Sequence, residues 1–158
     1  MHLQIESITL KKRINMECEF PTVNSNKEEM KEIFENTKSI ALVGCSPDTT
    51  KASNKVANYL INHGFIVYPV YPKEDVILGQ KVYRSLAEIP FSVDLVNIFR
   101  KPAVISAVVD AAITRGDVKY VWSQLGLVNN AAMQKAEESG MKAVQNFCTK
   151  IEHNAIYN

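Results

Sequence analysis

Cysteine is scarce in this chain, and its spacing suits neither a scaffold nor a metal site. Cys18, Cys45 and Cys148 stand far apart, with no CxxC pair among them. An odd count without paired spacing argues against a disulfide framework and a structural zinc site, and leaves reduced thiols in a reducing compartment. No apolar run approaches the roughly 18 residues that a membrane span requires. The basic cluster Lys11-Lys12-Arg13 is not followed by the apolar stretch of a secretory leader. Charge of one sign is missing too: 18 basic against 17 acidic residues leave a formal net charge of +1. Such a chain has no whole-molecule field to draw it to nucleic acid or an anionic membrane. Internal repeats and low-complexity linkers are also lacking. These absences together give the expectation of a soluble cytoplasmic protein.

What is present reads as one folded domain. A chain of 158 residues, 46% hydrophobic and 22% charged, is long enough to bury a proper core. Residues 1–26 are read as an N-terminal extension outside that core. Leu3, Ile5, Ile8 and Leu10 hint at a short strand there, and 21–26 reads as loop. From Lys27 the pattern becomes regular. Met30, Ile33 and Phe34 mark one face of a helix over 27–37. The apolar run 40–43 suits a strand covered on both faces. Ser53 stands where an N-cap is wanted, and Val56, Ala57, Leu60 and Ile61 follow at helical spacing up to Gly64. A strand over 65–68 stops at Pro69 and Pro72. A short strand or turn over 76–82, a helical turn over 85–88 and a strand over 93–99 come next. Pro102 opens a helix whose buried stripe is Val104, Ile105, Val108, Val109, Ala112 and Ile113. A strand over 120–122, a helix capped by Asn129 or Asn130, and a last strand over 141–144 complete the pass. Strands separated by helices in this way pair in parallel through right-handed crossovers. The expected fold is a Rossmann-like, doubly wound, mostly parallel α/β sheet of about five strands in three αβα layers, formed by 27–158.

In such folds ligands bind beyond the carboxyl ends of the strands, which singles out four loops. The first runs over 44–53. Gly44 follows the strand as a dinucleotide fingerprint requires, but Ser46 and Thr49 stand where the further glycines of GxGxxG belong. Hydroxyls at Ser46, Thr49, Thr50 and Ser53 beside a helix N-terminus still suit a phosphate, and equally suit an ordinary hydrogen-bonded loop. Cys45 lies here, where a helix terminus could lower a thiol pKa; were the ligand to carry a thiol, Cys45 or Cys148 could form a mixed disulfide with it. The alternative is a small buried apolar residue. In the second loop Lys73 replaces the acidic residue that holds an unmodified ribose. A cation there suits a ribose carrying a phosphate, as in coenzyme A or NADP, or is a plain surface lysine. In the third loop Arg100 and Lys101 add two cations and Phe99 a ring for adenine or for the core. The fourth offers Trp122, Ser123 and Gln124. Gln124 can both donate to and accept from an amide, and Trp122 serves the ligand or the core.

Taken in order, G-C-S-P-D-T-T-K-A-S, P-V-Y-P, V-D-L-V-N-I-F-R, V-W-S-Q-L-G and C-T-K-I-E-H resemble the family of stand-alone CoA-binding domains over 39–153. The chain is similar, too, to the CoA-binding domain of the succinyl-CoA synthetase α-subunit. The resemblance implies coenzyme A or an acyl-CoA as cofactor. It implies contacts from Ser46, Pro47, Asp48, Thr49, Lys73, Trp122, Ser123 and Gln124, to which the residues' own chemistry adds Gly44, Cys45, Ser53, Tyr71, Phe99 and Arg100. The synthetase's first-loop glycines are not kept, and Tyr71 stands where relatives often carry Asn. No second domain with a phosphorylated histidine follows, so the resemblance argues against complete ligase activity.

Catalytic constellations and metal ligands are not evident. His2, His63 and His153 are scattered, and Glu152 beside His153 would point to opposite sides of an extended segment. Three readings follow: a CoA-binding module without a complete catalytic site; an NAD(P)-dependent oxidoreductase or redox sensor, weakened by the missing glycines; and an interaction subunit with an empty nucleotide fold. The expected partner is a small-molecule cofactor, with a protein partner or homo-oligomer left open and neither nucleic acid nor membrane expected.

Overall fold

A run of apolar residues without alternation makes a stable strand only where both of its faces are covered. The computed structural model describes residues 19–158, and in it β1 (Ser39–Val43) is buried along its whole length. The other strands are β2 (Ile66–Val70), β3 (Val76–Ile77), β4 (Gln80–Lys81), β5 (Leu95–Ile98), β6 (Tyr120–Ser123) and β7 (Lys142–Gln145). Five of them form one parallel sheet in the order β2-β1-β5-β6-β7. β3 and β4 form a separate antiparallel hairpin. The helices are α1 (Lys27–Glu35), α2 (Ala52–Asn62), α3 (Pro102–Arg115), α4 (Asn130–Glu138) and α5 (Thr149–Tyr157).

The period of two along each strand divides the core. Ile40, Leu42, Leu95, Trp122 and Val144 pack against α1, α2 and α5, whereas Ala41, Val43, Val96, Ile98, Val121 and Ala143 pack against α3 and α4. This is the expected three-layer, doubly wound α/β fold. Chain direction reverses its winding at β1, which lies between β2 and β5. Register then sets the height of every loop: Val43, Val70, Ile98, Ser123 and Gln145 stand level at the carboxyl edge. The five following segments therefore start side by side.

Three expectations need correction. Residues 19–26 do not lie outside the core. Val23 is buried within it, Asn24 exchanges two hydrogen bonds with the backbone of Gln145 (2.9 and 3.0 Å), and the Ser25 hydroxyl donates to Ala143 O. These side chains stand in for a neighbouring strand along the free edge of β7, protecting donors and acceptors that an edge otherwise exposes. Asn26 and Glu29 then form a capping box on α1. The possible strand over residues 3–10 and Cys18 lie outside the described residues. Second, the C-terminal segment is helical, not extended. Its inward face is Thr149, Glu152 and His153 while Ile151 is exposed, so apolar periodicity could not reveal it. Third, Ser53 is not an N-cap. Lys51 holds that position with no side-chain bond, and the Ser53 hydroxyl accepts from the N–H of Ser46 instead.

Candidate functional site

The loop after β1 is tied to its neighbours before it is tied to anything else. Gly44 has a φ of +88°, and a Cβ there would come within 2.4 Å of the Phe99 carbonyl oxygen. Its N–H donates to Val70 O at 2.9 Å, and the Phe99 N–H donates to Val43 O at 2.9 Å. The ends of β1, β2 and β5 thus meet at one point, the switch of the sheet, where folds of this winding hold their ligands.

Beyond Gly44 the loop is built by short polar side chains. The Ser46 hydroxyl accepts from the Asp48 N–H, and the Asp48 carboxylate takes both the N–H and the hydroxyl of Thr50. Those two hydrogen bonds, the hydroxyl's first and the N–H's second, hold the Asp48 carboxyl below its ordinary range. Asn54 donates to Ser46 O, closing the loop onto α2. Pro47, Asp48 and Thr49 are exposed. The first turn of α2 and that of α3 carry no side-chain cap, with Lys51 and Lys101 at the N-cap positions. α1 and α4, by contrast, are capped by Asn26 and Asn129. Uncapped turns leave N–H groups and the positive end of the helix dipole at the carboxyl edge of the sheet.

The cations follow the same geography. Lys51, Lys73, Arg100 and Lys101 are all exposed at or beside this edge, and none has a carboxylate partner among the described residues. Tyr71 and Phe99, at the ends of β2 and β5, are half-buried against the α2-side core.

The fourth loop contributes less surface than its sequence promises. Trp122 is fully buried, donating its indole N–H to Phe147 O at 2.8 Å and packing on Phe34. Ser123 is fully buried and bonded to Leu127 O. Gln124 is buried to 5% exposure, its side-chain carbonyl accepting from both the N–H and the hydroxyl of Thr149, the first residue of α5. The same hydroxyl accepts from the Asn97 amide at 2.8 Å, and Asn97 Oδ1 is buried without a partner. Cys45 is fully buried, and burial pushes its thiol up to about 11. The expectation of an activated thiolate fails there, since desolvation outweighs the nearby helix terminus. Cys148 is buried as well.

His153 is likewise an interior residue. It bonds the Tyr59 hydroxyl at 2.8 Å and lies among Phe34, Phe65, His63 and Tyr157, while neighbouring Glu152 is paired with Lys27. A cleft of about 380 Å³ lined by Lys38, Tyr68, Asp94 and Lys119 lies at the amino ends of the strands, opposite the edge where such folds bind ligands. Among the described residues no helix is long and apolar enough to cross a membrane.

Sequence reasoning passed over Arg84, whose Nη1 donates to the carbonyls of Tyr71, Lys73 and Glu74. It missed the Asn97–Thr149–Gln124 chain for the same reason. Neither is a contiguous motif, and only the folded topology brings the partners together.

Fold and edge define a class, the open Rossmann-type α/β domain with exposed cations at its switch point. Residues 38–154 match the family described as the CoA binding domain, and the chain belongs to that family. The Bacillus subtilis protein YneT is 35% identical over 130 residues, covering 82% of this chain and 96% of YneT. The structure of a hypothetical protein from Pyrococcus horikoshii superposes with a TM-score of 0.82 at 39% identity, covering 88% of this chain and 97% of the other. The dinucleotide-forming acetyl-coenzyme A synthetase 1 of Ca. Korarchaeum cryptofilum superposes with a TM-score of 0.63 at 26% identity. There the match takes in 73% of this chain but only 27% of the synthetase. The likeness to CoA-ligase domains is therefore a likeness to one part of a longer enzyme.

Proposed function

We propose that this protein binds coenzyme A or an acyl-CoA at the carboxyl edge of its sheet, as a cofactor-binding protein without a complete catalytic site. The observation that carries this reading is the gathering of Lys51, Lys73, Arg100 and Lys101, exposed and unpaired, around two uncapped helix N-termini. Fixed positive charge with free N–H groups suits a polyphosphate, and family membership supplies coenzyme A as the polyphosphate to test.

In this arrangement the pyrophosphate lies against the first turn of α2, over the loop of Ser46, Pro47, Asp48 and Thr49. Ser46 and Asp48 shape that loop, Arg100 clamps from the next strand, and Lys73 meets the ribose phosphate. Tyr71 and Phe99 flank the adenine. Gln124, its carbonyl held by Thr149, turns its amide N–H groups toward the pantetheine arm. Gly44, Cys45, Ser53, Trp122 and Ser123 support the loops from within.

Calorimetric titration and thermal unfolding with coenzyme A, acetyl-CoA, NAD and NADP test the reading. Coenzyme A at 100 times its dissociation constant stabilises the fold by about 2.7 kcal/mol, a rise in midpoint of about 5–10 °C at this chain length. Replacing Lys73 or Arg100 by methionine should shrink that rise. A response to NAD or NADP with none to coenzyme A overturns the proposal.

A further inference from the structure

The loop after β2 is organised by a residue distant from it in sequence. The chain leaves β2, makes the β3–β4 hairpin, and returns so that Tyr83 bonds both Pro69 O (2.9 Å) and the Tyr71 N–H (3.0 Å). That return sets Arg84 beneath the loop. Arg84 Nη1 donates to Tyr71 O at 3.0 Å, Lys73 O at 2.9 Å and Glu74 O at 2.7 Å, and Nη2 lies 3.6 Å from Asp75 Oδ1. Three carbonyls turned onto one guanidinium fix the loop's path, including a positive φ of 66° at Glu74.

The turned carbonyls have a consequence for the other side of each peptide. In a planar trans peptide C=O and N–H point opposite ways, and no cis bond is present in the described chain. With the carbonyls of Lys73 and Glu74 facing Arg84, the N–H groups of Glu74 and Asp75 face away from it. Neither donates to any other described group. Successive outward N–H groups beside a lysine form a concave anion site.

Resting on the CoA reading above, we propose that Arg84 is a positioning residue that shapes residues 71–75 into a receptor for a phosphate monoester on the ligand's ribose. Lys73 supplies the charge and the Glu74 and Asp75 N–H groups supply the direction. Arg84 does not touch the ligand; it acts by holding the carbonyls away from it.

The test compares the affinities of coenzyme A and 3′-dephospho-CoA for the whole protein and for Arg84→Met, Arg84→Lys and Lys73→Met. The natural protein should prefer coenzyme A. Arg84→Met should weaken coenzyme A about tenfold, the scale of one charge-assisted hydrogen bond, and leave dephospho-CoA nearly unchanged, so that the preference collapses. Arg84→Lys should behave likewise, because an ammonium keeps the charge but not the planar fork that gathers the carbonyls. It also serves if Arg84→Met does not fold. Adding Lys73→Met should then cost little more, the non-additivity of groups acting on one phosphate. A general loss of folding would weaken both ligands alike. If either Arg84 variant keeps the natural preference, or if the natural protein binds both ligands equally, the inference falls and the CoA reading stands. If the natural protein binds neither ligand, the CoA reading itself falls and takes the inference with it.

Discussion

Gly44 occupies a conformation and a space that no other residue shares comfortably. At a φ of +88° an L side chain is strained, and the Cβ would overlap the Phe99 carbonyl at 2.4 Å. The left-handed backbone alone costs about 1–2 kcal/mol, and relieving the overlap must part the ends of β1 and β5. Gly44→Ala should therefore lower the thermal midpoint by at least about 3 °C at this chain length. It should also weaken coenzyme A, because both loops move; differential scanning calorimetry and titration read the two effects. A midpoint equal to that of the natural protein would show that the two backbones do not meet this closely. The glycine was legible as the residue that ends the first strand, but its reason was not. The fingerprint assigns its first glycine to a tight turn, whereas here the glycine also admits the close approach of the Phe99 backbone. Trp122 and Ser123 repeat the lesson. Sequence reading put both in the loop after a strand, but β6 runs through Ser123, and which face each presents depends on the register of β6 against its neighbours, which no local pattern carries.

At the scale of elements α5 is the most informative, because the residues that hold it are polar. Glu152 pairs with Lys27, Thr149 joins Asn97 to Gln124, and His153 enters an aromatic cluster. Burial chiefly, with the nearby His63 adding, keeps the His153 imidazole below its usual range. Tyr59, Tyr157 and, over the Tyr59 ring, Lys150 are the other titratable groups around it. The folded state thus binds a proton less readily than the unfolded one. The contribution of neutral His153 is fully present above the unfolded pKa of about 6.5 and is lost as pH falls from there through the lower folded value. Urea unfolding should show stability declining between about pH 7 and pH 5, with a shallower decline in His153→Phe. Equal slopes in the two proteins would place the titration elsewhere. The five strands of the parallel sheet were legible as apolar runs, and α1 to α4 from apolar periodicity, because their buried faces are apolar. α5 inverts that rule, and the edge cover by Asn24 and Ser25 uses side-chain bonds to backbone, which follow no period at all.

Over the whole molecule the charges nearly cancel, with a formal excess of one, but they are not evenly spent. Lys27, Lys31, Arg84, Arg115, Lys119, Lys135 and Lys142 each have a carboxylate partner; of the eight cations without one among the described residues, Lys51, Lys73, Arg100 and Lys101 stand at the carboxyl edge and Lys38, Lys55, Lys81 and Lys150 elsewhere. Composition hid this, because a total cannot report a distribution, and the alternation of strands and helices located the edge without revealing which cations stay free. The physical consequence is a local field in a neutral protein. Such a field is exposed to solvent, so salt must screen it: the Debye length shrinks from about 10 Å at 0.1 M to about 3 Å at 1 M. Affinity for coenzyme A should fall several-fold between about 0.05 and 0.5 M sodium chloride if these cations hold its phosphates. In a Lys73→Met, Arg100→Met double variant the affinity should begin lower and change less over the same range. Affinity that ignores salt in the natural protein would mean that the adenine and pantetheine contacts carry binding alone. An unchanged salt dependence in the double variant would shift the charge contribution to Lys51 and Lys101, at the first turns of α2 and α3.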